Sequence, residues 1–347
     1  MLLNQLIEQA FGADTRITAR TEMEKGASSR RYFRLTLEGD GTALPPNVVQ
    51  MVLPDDAMKS DEATAQDAYH ELPFVNLQRH LNAAGLPVPQ IYLDATDHGH
   101  LLLEDLGGCT LNFTLQNKSA TEIESWYNAA IDLLSTMHDV MWPIPKACFA
   151  SRRSFDYSLL RWELDHYVEW GLEKKYSTTL DPQTRENLDD IFDDFAREID
   201  TLPKGFVHRD YQSRNLMVTE DTAAPSSLSI IDFQDALKGP RTYDLVALLN
   251  DSYVDLPFDT QQRLVKRYAQ NRHLAVTDIQ NEFDLITVQR KLKDGGRFVF
   301  IDQVKGDPSF LPFVSKSFSR VKAALARIDG HKPLKGILAK LDEKSFG

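Results

Sequence analysis

The chain has 347 residues, enough for two lobes that each bury a core of their own. Its 39 basic and 51 acidic residues leave a net charge of −12, which argues against a nucleic acid or an anionic membrane as partner. The amino terminus MLLNQLIEQAFGADT lacks the basic flank and cleavage site of a signal peptide, and no apolar run approaches bilayer-spanning length. Cys109 and Cys148 have no His or Cys at zinc spacing, so a cytoplasmic protein with two structural thiols is expected.

Taken in order, Leu3, Leu6, Ile7 and Ala10 recur at helical spacing over Leu2 to Phe11, and Gly12 offers a C-cap. Two strands between Arg16 and Phe33 flank the turn Gly26-Ala27-Ser28-Ser29. Its small residues would let backbone N–H groups approach a phosphate, and they suit an ordinary hairpin connector as well. Period-two alternation puts Arg31 on one face with Phe33, Leu35 and Leu37, and Arg30 on the other with Tyr32 and Arg34. Asn47 to Leu53 reads as a third strand. Phe74 to Ala84 reads as an amphipathic helix stopped by Gly85, and Ile91–Leu93 and Leu101–Leu103 read as strands, the second broken by Glu104-Asp105-Leu106-Gly107-Gly108.

Beyond that break the pattern becomes helical. A capping box at Ser119/Glu122 opens a helix from Thr121 to Val140, with His138 expected to cap its end. Ser154 to Leu172 mixes Trp162, Tyr167 and Trp170 with Glu163, Asp165, His166 and Glu169, a composition that serves sugar stacking or plain packing. Asp181-Pro182 is an N-cap and N1 pair for a helix through Ile199, expected to pack beneath the loop that follows. From Asp259 onward the chain reads as helices, with Gly295-Gly296 as a break between Gln289 and Phe300.

The chemistry concentrates in Phe206 to Asp235, FVHRDYQSRNLMVTEDTAAPSSLSIIDFQD, where His208, Asp210, Asn215 and Asp232 surround short apolar strands. One carboxylate and one amide oxygen are enough protein ligands for Mg²⁺, a hard cation that keeps waters and substrate phosphates around it. A second carboxylate is then available to orient an acceptor hydroxyl and take its proton. His-x-Asp-x4-Asn followed by an apolar run ending in Asp-Phe matches the catalytic loop and metal-binding Asp of kinases.

VHRDYQSRNLMV and IIDFQDALKGPRTYDLVALL resemble the aminoglycoside phosphotransferase-like kinases. Within them, GASSRRYFR, DFQDALKGPRTYDLVALL and QRKLKDGGRF are most similar to the bacterial N-acetylmuramate/N-acetylglucosamine anomeric kinases of cell-wall recycling. The resemblance implies an α+β, bilobal, protein-kinase-like fold. A small antiparallel sheet would form an N-lobe over 1–103, and a larger helical C-lobe would span 104–347. It implies ATP between the lobes, Mg²⁺ on Asn215 and Asp232, Asp210 as catalytic residue, and His208 supporting the loop. Gly26, Ala27, Ser28 and Ser29 would lie over the phosphates, and main-chain groups of Glu104 and Leu106 at the hinge would hold the adenine edge. Asp244 would brace the catalytic loop.

The third strand lacks the Lys that kinases carry there, having Gln50 and Met51 instead. If the apolar face of the second strand roofs the nucleotide, Arg31 supplies the missing charge. The acceptor implied is a small sugar, with Arg209, Gln212, Gln234 and Asp235 as pocket candidates; an Arg suits the lactyl carboxylate of N-acetylmuramate. Another hydroxylated acceptor (an aminoglycoside, choline or homoserine) and a nucleotide-binding scaffold without turnover are the competing readings.

Overall fold

The computed structural model describes residues 3–23, 30–40, 44–54, 71–219 and 228–347, so the turn Gly26-Ala27-Ser28-Ser29 lies outside the described residues. The chain forms two compact units: Met1–Thr114 with Arg214–Asp235, and Leu115–Ser213 with Ala236–Gly347.

The first unit opens with α1 (Leu3–Phe11), closed by Gly12 at φ +99°, a conformation that favours glycine. Then come β1 (Arg16–Glu22), β2 (Arg31–Glu38), β3 (Asn47–Val52), α2 (Pro73–Ala83), β4 (Ile91–Ala95) and β5 (His100–Glu104). The strands make one antiparallel sheet in the order β1-β2-β3-β5-β4. Its two faces differ in what covers them. Phe33, Leu35, Leu37, Val48 and Leu102 pack with Leu6 and Ile7 of α1 into a buried apolar cluster, each fully buried side chain contributing about 1.5–3 kcal/mol. Tyr32 opposite Met51 and Arg34 opposite Val49 belong to the other face. A short helix, α3 (Leu111–Thr114), ends this part.

The second unit begins with α4 (Ala120–Val140), capped as expected: Ser119 Oγ accepts the Glu122 N–H and Glu122 accepts the Ser119 N–H at 2.9 Å. α5 (Tyr157–His166) runs on into a π-helical stretch, Tyr167–Lys174, and α6 (Pro182–Thr201) starts from Asp181, whose carboxylate accepts the Thr184 N–H at 3.0 Å. After β6 (Lys204–Val207) the chain returns to the first unit as the antiparallel pair β7 (Leu216–Val218) and β8 (Leu228–Ile230). That pair is fastened there by Val218 N–H to Cys109 O at 2.8 Å, by Ile230 N–H to Pro87 O at 2.7 Å, and by the Phe233 ring stacked on Phe74 of α2 at 5.0 Å. A division at 103/104 puts this pair with the helices; the compact units put it with the part that carries the sheet.

β9 (Leu237–Pro240) pairs antiparallel with β6, and α7 (Tyr243–Leu249), α8 (Phe258–Asn271), α9 (Val276–Lys305), α10 (Pro312–Leu325), α11 (Lys332–Leu341) and α12 (Glu343–Phe346) complete the unit. α6 packs on α5 and α11. α9 runs unbroken through Gly295-Gly296, correcting the expected break. The glycines serve packing: a Cβ at Gly295 would strike the Phe318 ring of α10, and one at Gly296 would come 3.0 Å from the Tyr167 Cα. Among the described residues no helix is long and apolar enough to cross a membrane.

Candidate active site

β6 delivers its last residue, Val207, into the loop His208-Arg209-Asp210, and the loop's backbone is set by a buried carboxylate. Asp244, fully buried at the start of α7, accepts the His208 N–H at 2.7 Å and the Arg209 N–H at 2.9 Å. His138 Nε2 donates to the same carboxylate at 3.1 Å, and its Nδ1 lies 2.7 Å from the Tyr268 hydroxyl. His138 was expected to cap α4; it instead supports the brace. Burial lowers its pKa against the pull of Asp244, so it is held neutral. Asp244 therefore braces the loop backbone, backed by His138 of α4 and Tyr268 of α8.

This bracing holds an uncommon backbone. Arg209 has φ +81°, in the left-handed region that costs a residue with a Cβ about 1–2 kcal/mol. Its N–H is taken by Asp244, and its carbonyl accepts Arg290 Nη1 at 2.9 Å. The turn carries Asp210 outward, with its side chain 49% exposed, while Arg290 Nη2 approaches its Oδ1 at 3.3 Å from a side chain 2% exposed. Burial alone would raise the Asp210 pKa, but the charges of Arg290, Lys293, Arg209 and His208 hold its carboxyl below the usual carboxylate range. An ionised carboxylate with a fixed carbon frame is what orienting an acceptor hydroxyl requires.

Asp251, also fully buried, accepts the Ser213 N–H at 2.9 Å and the Ser213 hydroxyl. This fixes Ser213, the first residue of the single-turn 3₁₀ helix Ser213–Asn215.

In the first unit, Asn215 and Asp232 stand on the exits of paired strands. Leu216 opposes Ile230, and the Ile231 N–H donates to the Asn215 carbonyl at 3.1 Å. The two side chains meet, Asn215 Nδ2 to Asp232 Oδ2, at 3.3 Å. Asp232 has φ +66°, a second left-handed residue at this site, and its Oδ1 accepts Gln234 Nε2 at 2.8 Å. Here the Asn215 amide turns its nitrogen to Asp232; a carboxylate and a carboxamide side by side are nonetheless a donor set that Mg²⁺ takes, its remaining ligands being waters and phosphate oxygens.

The nucleotide-side candidates fare differently. Arg31 lies on the face that α1 packs, exposed and paired with Glu22 at 3.0 and 3.2 Å. The condition under which it would point at phosphate, an apolar face roofing the nucleotide, is not met, because that face carries α1. On the opposite face, the Tyr32 hydroxyl hydrogen-bonds Arg30 and lies in the field of Asp232; burial first, then that carboxylate, pushes its phenol up. Met51, fully buried, stands opposite Tyr32. Gln50 points to the α1 side and accepts Arg20 Nε at 3.2 Å.

At the hinge, the Glu104 N–H is taken by the Gln90 carbonyl at 2.9 Å. Leu106 sits within a turn clamped by Arg34, whose guanidinium donates to both oxygens of Asp105 at 2.6 and 2.8 Å and to the Gly107 carbonyl at 2.9 Å.

Of the pocket candidates, Arg209 lies 3.7 Å from the buried Glu163 of α5, and the Gln212 N–H closes a turn onto the Asp210 carbonyl at 2.8 Å. Gln234 contacts Asp232 and, at 3.4 Å, Asp235. The sequence reading missed Arg290, Lys293 and Asp251. For the first two a signal was present: QRKLKD sets four charges between the apolar runs Leu285–Val288 and Phe298–Ile301, and charges that such runs carry into a core need partners.

The sequence signature of the phosphotransferase enzyme family matches residues 20–279. The N-acetylmuramate/N-acetylglucosamine kinase of Pseudomonas aeruginosa is 32% identical over 280 residues, 78% of each chain. That of Pseudomonas putida is 30% identical over 335 residues, covering 94% of this chain and 89% of its own. Among solved structures, ADP-bound aminoglycoside phosphotransferase APH(2″)-Ib aligns with a TM-score of 0.58 at 14% identity, covering 90% of this chain and 95% of that one. The gentamicin complex of APH(2″)-IIa gives 0.58 and 14%, covering 90% and 94%. At such identity the likeness is one of fold, an antiparallel sheet followed by a helical part.

Proposed function

We propose that this chain, which belongs to the phosphotransferase enzyme family, is an ATP-dependent kinase that phosphorylates the anomeric hydroxyl of N-acetylmuramate and N-acetylglucosamine. The observation that carries the reading is the Asp210 carboxylate, exposed on a strained loop and held ionised by Arg290. The relatives named for this pair of sugars supply the acceptor class.

In this mechanism Asn215 and Asp232 would hold Mg²⁺, which would supply charge neutralisation at the nucleotide phosphates. Asp210 accepts a hydrogen bond from the acceptor hydroxyl, aims its oxygen along the line of the breaking bond, and takes its proton as the new oxygen–phosphorus bond forms. Because the phosphoryl transition state is loose, orientation and charge matter more than base strength. The lactyl carboxylate of N-acetylmuramate is assigned to Arg209, the loop residue next to Asp210, whose largely buried guanidinium lies 3.7 Å from Glu163.

We also assign the role of the missing strand-three Lys to Arg30. It lies with Tyr32 on the Asp232 side of the sheet, whereas Arg31 lies on the α1 side. Removing Arg30 as Ala is expected to raise the KM for ATP roughly tenfold, the value of one lost charge-assisted contact. Arg31→Ala, which breaks only an exposed pair, should change it less than about twofold. The reverse ranking in steady-state kinetics would return the phosphate role to Arg31.

A panel of acceptors read by ADP release tests the substrate. N-acetylmuramate and N-acetylglucosamine should turn over, and kanamycin, choline and homoserine should not. Turnover of one of those three with neither amino sugar active would refute the assignment.

A further inference from the structure

α9 carries a chain of charges through the interior of the second unit, next to the loop that bears Asp210. Arg290 is 1% exposed and Lys291 fully buried. Asp294 gathers the cations on its own helix: Lys291 Nζ at 2.8 Å, Lys293 Nζ at 3.2 Å and Arg290 Nε at 4.0 Å. From α5, Glu163 faces the same group and accepts Gln289 Nε2 at 2.8 Å. The Tyr243 ring of α7 lies under the Arg290 guanidinium at 4.7 Å. A guanidinium this deep is costly unless every direction of it is matched. Here one nitrogen donates to the Arg209 carbonyl and one to Asp210, and the flat face rests on an aromatic ring, while Nε makes no hydrogen bond among the described residues and has only the charge of Asp294 at 4.0 Å.

The two contacts ahead of Arg290 are the ones the reaction uses. They are the carbonyl of the left-handed Arg209 peptide and one oxygen of the catalytic carboxylate. Asp244 secures the other end of the same residue through its N–H. The strained residue is thus pinned from both sides, by a carboxylate from α7 and a guanidinium from α9. Loss of either pin would let Arg209 relax and turn Asp210 away.

We propose that Arg290 is a positioning residue for phosphoryl transfer: its forked guanidinium fixes the Arg209 peptide and the Asp210 carboxylate together, so that turnover depends on the fork and not on positive charge alone. A lysine at this position can keep the charge but cannot reach two divergent acceptors in one plane. The proposal rests on Asp210 being the acceptor-orienting group. It goes beyond that reading by naming what holds Asp210 and by requiring a shape as well as a charge.

The test compares wild-type protein with Arg290→Ala and Arg290→Lys, using ATP and N-acetylmuramate, with ATP binding measured by calorimetry and folding by circular dichroism. Both variants should lose about 100-fold in kcat, the usual effect of displacing a reacting group by an ångström, with the ATP dissociation constant within about threefold of wild type. Added guanidinium chloride at low millimolar concentration should restore Arg290→Ala by about tenfold and leave Arg290→Lys unchanged, since only the first has an empty guanidinium-shaped space. Wild-type kcat in Arg290→Lys would overturn the proposal, as would a folded Arg290→Ala that guanidinium does not rescue. If Arg290→Ala fails to fold, Arg290→Lys decides alone: kcat within about threefold of wild type overturns the proposal, and a loss near 100-fold at unchanged ATP affinity supports it. Wild-type protein inactive on both amino sugars would count against the acceptor assignment instead, and the variants are then compared on ATP hydrolysis.

Discussion

Asp210→Asn is expected to lower kcat by about 10³-fold while leaving ATP affinity within about threefold and the melting temperature nearly unchanged. The substitution keeps size and one hydrogen-bonding oxygen but removes the charge that takes the hydroxyl proton. The retained oxygen can still accept from Arg290 Nη2, and the charge of Asp294 remains 4.0 Å from that guanidinium. Asn215 and Asp232, the proposed metal ligands, flank a separate strand pair that does not depend on Asp210 for its register. Steady-state kinetics alongside calorimetric ATP binding therefore separates the two functions. A variant that turns over at more than about a tenth of the wild-type rate would mean that Asp210 is not the acceptor-orienting group.

The second large effect is expected from Asp244→Ala, and it falls on stability as well as on rate. The side chain is fully buried and serves three donors: the His208 and Arg209 N–H groups and His138 Nε2. Removing it takes the acceptor away from two buried amides and a buried imidazole, a loss of about 3–5 kcal/mol. The urea midpoint should fall accordingly, and kcat should fall with it, because the left-handed conformation of Arg209 loses one of its two pins. Asp244→Asn, which keeps one acceptor oxygen, should lie between. A stability change below about 1 kcal/mol in the alanine variant would contradict the bracing role.

Much of this site was legible from residues alone, and the reason is locality. The capping box at Ser119/Glu122, the Asp181-Pro182 helix start, and the spacing of His208, Asp210, Asn215 and Asp232 are short-range patterns that the backbone obeys wherever the element ends up. Alternation along β2 correctly sorted Arg30 from Arg31. It could not say which face α1 would cover, since that depends on a helix some twenty residues away in the chain and on the apolar cluster of Leu6 and Ile7.

The same limit explains the rest. Gly295-Gly296 looks like a helix break by propensity, but packing against Phe318 and Tyr167 uses the missing side chains to bring neighbours close, and the tertiary context outweighs the local cost. His138 looks like a terminal cap until α7 and α8 arrive to surround it. Arg290 is 80 residues beyond Asp210, and only the folded chain sets one against the other.

The most direct test of the account is the identity of the phosphorylated product. Purified protein, ATP and N-acetylmuramate should yield a single sugar phosphate whose phosphorus resonance couples to the anomeric proton. The product should have lost its reducing end, and Asp210→Asn should yield none under the same conditions. A product that keeps its reducing end, with phosphorus coupled to protons at any other carbon, would contradict the assignment of the anomeric hydroxyl to Asp210.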